Sequence, residues 1–166
     1  MTGHPYVDEA IPHEAGHIVV GWTVGMPMKE MAIEIVCKEG HTQLGNFITK
    51  SVEPSDEQIA QTPPHILKSY SLMLAGGLAG NNFVGMTASD HGIEDDRRKL
   101  ARATTESLED VALQAQVIIQ ERRRIFRRLK SLIEQRFLKL MNDPARTTGR
   151  HVLLNEHDLT AIFERP

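Results

Sequence analysis

The sequence predicts a mainly α-helical (α+β) single domain over residues 1–166, with one small β-sheet or hairpin. Three observations carry that expectation. Apolar residues recur at helical spacing through most of the chain. The pattern alternates in β fashion only between Met28 and Lys50. A chain of 166 residues with 40% hydrophobic content can build one sizeable core.

Taken in order, residues 1–12 read as a lead-in ending Ile11-Pro12. Proline is tolerated in the first turn of a helix, so a helix is expected from near Pro12 to about Val24. Gly25-Met26-Pro27 then breaks it. From Met28 to Lys50, Met31, Ile33 and Ile35 alternate with Ala32 and Glu34, giving two or three strands separated by turns. Ser51 to Pro64 reads as loop, punctuated by Pro54, Pro63 and Pro64. A helix is expected from Pro64, because Ile66, Leu67, Tyr70, Leu74 and Leu78 share helical spacing. Gly76-Gly77 in its middle is costly for a helix and predicts a closely packed neighbour. Gly85 to Gly92 reads as a turn, and Glu94-Asp95-Asp96 suit the positive end of a new helix. The apolar pattern from Arg97 to Met141 is helical but too long for one helix on a small domain, so a break is expected that no Gly or Pro locates. Asn155-Glu156-His157-Asp158 resembles a capping box opening a last short helix.

One pentapeptide carries chemistry. His13-Glu14-Ala15-Gly16-His17 spells H-E-x-x-H, and residues four apart lie on one helix face. His13 and His17 can therefore point two imidazoles at one metal ion, and Glu14 can reach a water bound to it. That is the ligand-plus-base arrangement of zinc peptidases. Ile18-Val19-Val20-Gly21-Trp22 follows and is strongly apolar, so the helix should be buried, and buried His and Glu need partners. Gly16 inside the helix marks a second backbone close by.

HExxH supplies two ligands, whereas a catalytic zinc takes three from the protein. The run His13 to Gly21 resembles the start of the peptidase domain of the FtsH-type AAA+ zinc proteases. The order of segments from about residue 10 to 141 is similar as well. Leu44-Gly45-Asn46-Phe47 resembles the strand along which that family binds substrate. Leu74 to Gly80 resembles its Gly-Gly helix, and Thr87-Ala88-Ser89 followed by Asp95-Asp96 resembles its turn and third ligand. The resemblance implies a zincin-like helical domain, one Zn2+ per chain, metal ligands His13, His17 and an Asp, and Glu14 as general base. The family's acid leads into an apolar helix face, with small or apolar residues four, eight and twelve positions on. From Asp96 those positions are Leu100, Thr104 and Leu108; from Asp95 they are Lys99, Ala103 and Ser107. Asp96 is the preferred ligand and Asp95 the alternative.

The departures matter too. The 166 residues contain neither the family's membrane segments nor its ATPase module, and no phosphate-binding Gly-x-x-x-x-Gly-Lys-Ser/Thr loop. Asp90-His91-Gly92-Ile93 looks like an insertion in the turn before the third ligand. Asn81 and Asn82 replace acids of the family's Gly-Gly helix. The implied activity is a zinc metalloendopeptidase acting on unfolded or flexible polypeptides, with a separate AAA+ ATPase as a partner and a homo-oligomer both open. The alternative is a catalytically silent zinc-binding module that partners an ATPase.

Other features read plainly. Net charge of −3 and 5% aromatic residues argue against nucleic acid as a partner, so the arginines at 122–124, 127 and 128 are expected on a solvated helix face. Cys37 is the only cysteine, no apolar run is long enough for a membrane span, and no leader-like segment is evident; a cytoplasmic protein is expected. His91 is read as a turn histidine and Trp22 as core.

Overall fold

The computed structural model describes residues 2–3, 5–27, 33–38, 41–44 and 54–164. Among these the chain is mainly helical, with seven helices and one small antiparallel sheet. The helices are α1 (Pro5–Thr23), α2 (Asp56–Gln61), α3 (Pro64–Phe83), α4 (Asp90–Ala103), α5 (Leu108–Glu121), α6 (Arg123–Met141) and α7 (Glu156–Phe163); the strands are β1 (Ile33–Lys38), β2 (His41–Leu44) and β3 (Gly149–Leu154).

α1 is the central helix. Ala15 through Gly21 are buried without interruption, as expected of a helix packed on several sides. It lies chiefly against α3, which also packs on α5, while α5 and α6 touch α1 as well. α1 starts earlier than the sequence suggests, at Pro5, and carries Pro12 in its interior. Val7 and Ile11 are almost fully buried ahead of that proline. Their burial offsets the hydrogen bond that an interior proline removes.

Among the described residues the sheet has the order β2-β1-β3, with β1 central and β2 at an edge. β1 pairs with β2 through Ile35↔Leu44 and with β3 through Ile35↔His151. Ile33, Ile35 and Cys37 face the core with Leu153 and Leu154. The hairpin was anticipated; β3, drawn from the far end of the chain, was not. Arg136 fastens this end, holding Asp158 with two hydrogen bonds and the Leu153 carbonyl at 2.8 Å.

Three further boundaries differ from the sequence reading. The segment after Ser51 is not all loop: a Ser55/Gln58 capping box opens α2, and Arg102 of α4 holds Asp56 and the Pro54 carbonyl. α4 begins at Asp90, a turn before the acids, because Ile93 belongs to the same buried stripe as Asp96 and Leu100. Asp90 to Ile93 thus extend the helix instead of lengthening a turn. The long helical run breaks twice. Ser107 caps α5 by accepting from the Asp110 N–H, and Arg122 separates α5 from α6. The final capping box at Asn155 is present as expected. The five arginines lie on the exposed face of α6 and its approach, with Phe126 and Leu129 buried on the opposite side.

Candidate metal centre

α1 and α3 run antiparallel in very close contact, and glycines make that contact possible. A Cβ on Gly16 would lie 2.0 Å from the Gly76 carbonyl oxygen, and one on Gly80 would lie 2.2 Å from the Pro12 carbonyl oxygen. Gly77 faces the histidine rings themselves: its Cβ would sit 2.5 Å from His13 Cε1 and 2.7 Å from His17 Nε2. The rings occupy space that the Gly77 side chain leaves open.

α4 closes the site from the other side. Its buried stripe is Ile93, Asp96 and Leu100, so one carboxylate stands among apolar neighbours, 7% exposed. Glu9, one turn before His13, accepts the Ser89 N–H at 2.6 Å and holds the segment that leads into α4. Asp95 points outward, paired with Arg98 at 2.7 Å and Lys99 at 2.5 Å. Of the two candidate acids, Asp96 is the one brought to the histidines.

His13 Nε2 and His17 Nε2 are 3.0 Å apart, and Asp96 Oδ2 is 3.2 Å from each. Three donors at about 2.0–2.1 Å from a tetrahedral zinc would lie about 3.3 Å from one another, so the triangle has close to the required size. All three residues are buried. His17 Nδ1 lies 2.8 Å from the Met73 carbonyl oxygen, to which it donates, leaving the Nε2 lone pair for the centre. Asp96 Oδ2 and Glu14 Oε2 are buried atoms without a hydrogen-bond partner, which a cation and its attendant water would satisfy. This arrangement can hold a divalent ion with one position open. Among the described residues it is the one cluster of three such side chains.

Electrostatics agree with the geometry. Burial pushes the Glu14 carboxyl above its ordinary range, although His13 and His17 oppose it; a raised carboxyl pKa suits a base working near neutral pH. Burial alone would lower the His17 pKa, but the Asp96 carboxylate outweighs it, helped by Glu14 and the Met73 carbonyl, and pushes it up to about 9. Burial would raise Asp96, yet its histidine neighbours hold it well below the usual carboxylate range. In the metal-free protein, the raised His17 value gives stability that is complete below about pH 6.5 and lost as pH rises through about 9. The lowered Asp96 value gives stability present above about pH 3.8 and lost on further acidification. The metal-free protein is therefore expected to lose Tm steadily as pH rises from 6.5 to 9. Zinc competes with the His17 proton, so at fixed zinc the trend over the same interval reverses. Thermal melts with and without zinc across that interval check the two slopes.

Other candidates stay apart. His65 and His157 are exposed, and His151 lies against the Thr147 carbonyl. Cys37 is buried on β1. Trp22 is partly buried and stacks on Phe163, ring centroids 4.6 Å apart. Gly45, Asn46 and Phe47 of the expected substrate strand and the His91 side chain lie outside the described residues. Two contributors went unread in the sequence. The Met73 carbonyl is a backbone group with no signature, whereas the fit of Gly77 to the rings was hinted at by the Gly-Gly pair. No protein-family model, curated protein or solved structure matches this chain.

Proposed function

We propose that this chain is a zinc-dependent metalloendopeptidase that hydrolyses unfolded or flexible polypeptides. The observation that carries the reading is the buried triangle of His13, His17 and Asp96 with Glu14 on the same helix turn. A metal-binding module needs the three ligands; it has no use for a buried carboxylate beside them.

Zinc held by the triad would acidify a water and polarise the scissile carbonyl. Glu14 takes the proton from the attacking water and delivers it to the leaving amine nitrogen. Its raised pKa keeps the protonated form accessible for the second transfer. His17 is held in one tautomer by Met73 and so keeps its Nε2 directed inward. The edge strand β2 supports main-chain pairing with an extended substrate, a mode that asks little of substrate sequence. Cys37 as the only cysteine suits a reducing cytoplasm, the compartment we assign to it. No helix among the described residues is long and apolar enough to cross a membrane.

The test is casein cleavage by zinc-loaded wild type and Glu14→Gln, with zinc content measured on both. The variant should bind one zinc per chain and lose at least about 100-fold in rate, the low end for a positioned acid–base group. Equal activity in both removes Glu14 from the mechanism. Inactivity in both, with zinc bound, favours a silent module that works with a separate AAA+ ATPase.

A further inference from the structure

Among the described residues, the buried side-chain nitrogens and oxygens without a hydrogen-bond partner belong to four residues: His13, Glu14, Asp96 and Asn81. Three of them form the candidate site. Asn81 is fully buried, and neither its Oδ1 nor its Nδ2 is bonded. A buried amide left unpaired at both ends is costly, so chains keep one only where it finds a partner.

Its place on α3 bears on that partner. Asn81 follows Gly77 by four residues and so occupies the same face of α3, one turn on. Gly77 is where that face meets His13, within 2.5 Å of Cε1 by the path of a Cβ, and Cε1 is bonded to Nδ1. The antiparallel pairing agrees: Gly80 sits on the Pro12 carbonyl, which brings the next residue of α3 level with Pro12 and His13. Asn82 is turned to solvent.

His13 presents Nε2 to the triangle, so a metal there leaves the ring proton on Nδ1. The Met73 carbonyl accepts that proton's hydrogen bond from His17; for His13 the matching atom is one of the five unpartnered atoms. We infer that Asn81 is the positioning residue for His13, its Oδ1 accepting the Nδ1–H and fixing ring plane and tautomer when metal is held. An amide does this without adding a third negative charge beside Asp96 and Glu14. The inference rests on the triad being a metal site.

Zinc affinity, read by competition with a chromogenic chelator, tests it on wild type, Asn81→Leu and Asn81→Asp. The leucine variant keeps the volume and removes the acceptor, and should bind zinc about 10–100-fold more weakly. The aspartate variant keeps the acceptor and should stay within about threefold of wild type, since the hydrogen bond to the ring is retained. Wild-type affinity in the leucine variant overturns the assignment. Should that variant fail to fold, NMR of the zinc-loaded wild type decides. A nuclear Overhauser contact between the His13 Nδ1 proton and the Asn81 amide supports the assignment, and its absence overturns it. A wild type that takes up no zinc overturns the metal reading itself, an outcome distinct from both.

Discussion

Gly77→Ala is expected to weaken zinc binding by at least about 100-fold while leaving the metal-free protein folded. The added Cβ would stand 2.5 Å from His13 Cε1, 2.6 Å from His13 Nε2 and 2.7 Å from His17 Nε2. Carbon atoms in contact prefer about 3.5–4.0 Å, so both rings must swing by about 1 Å. The three nearest atoms all belong to rings at the far ends of side chains, so the rings yield before the helices part. Alanine is favoured over glycine inside a helix by about 1 kcal/mol, which offsets part of the cost of moving the rings. The site has no such latitude: functional constellations tolerate only about 0.5 Å of displacement. Moving both histidine ligands at once should cost more than losing an outer hydrogen-bond partner, which alone costs about 10–100-fold. Chelator competition on the variant, with a thermal melt of its metal-free form, checks both halves. Unchanged zinc affinity would mean that the rings are not held against α3 and that the triangle is not where zinc binds.

That result would also explain why part of this site can be read in the chain and part cannot. His13, Glu14 and His17 are legible because a helix repeats every few residues, so their mutual placement is set locally. Asp96 is half legible. Its place on a stripe with Leu100 separates it from Asp95, but that the stripe meets α1 depends on how α3 and α4 pack. The Met73 carbonyl and the absent Gly77 side chain are not legible, since they act only after α1 and α3 have closed on each other. Local signals elsewhere behaved the same way. The Asn155 box marks α7, and Ser107 with Asp110 marks the start of α5. β3 pairs with β1 across more than half the chain, and no local pattern reports such a partner. Pro12 misled because burial of Val7 and Ile11, a tertiary effect, outweighs the preference of proline for a first turn.

Gly16→Ala should act first on the fold, lowering the stability of the metal-free protein. Propensity alone favours the substitution by about 1 kcal/mol, so a stabilised protein would be the naive forecast. The contacts decide otherwise. The new Cβ would lie 2.0 Å from Gly76 O, 2.8 Å from Gly76 C and 3.1 Å from Gly80 Cα, and all of these are backbone. Neither helix can turn a side chain aside, so α1 and α3 must part by more than 1 Å along their closest approach. This is the principal helix pair of the core. Overpacking of a tight core costs about 1–3 kcal/mol where side chains can adjust, and here they cannot, so about 3 kcal/mol or more is expected after the propensity gain. For a chain of this size that lowers Tm by roughly 6–12 °C, a large part of a typical stability of about 5–15 kcal/mol. A thermal melt of the metal-free variant measures it. Saturating zinc should restore part of the loss, because a ligand that binds only the folded state stabilises it by mass action. A Gly16→Ala protein as stable as wild type would show that α1 and α3 are not in backbone contact. The same result would remove the reason for the glycines at 76 and 80.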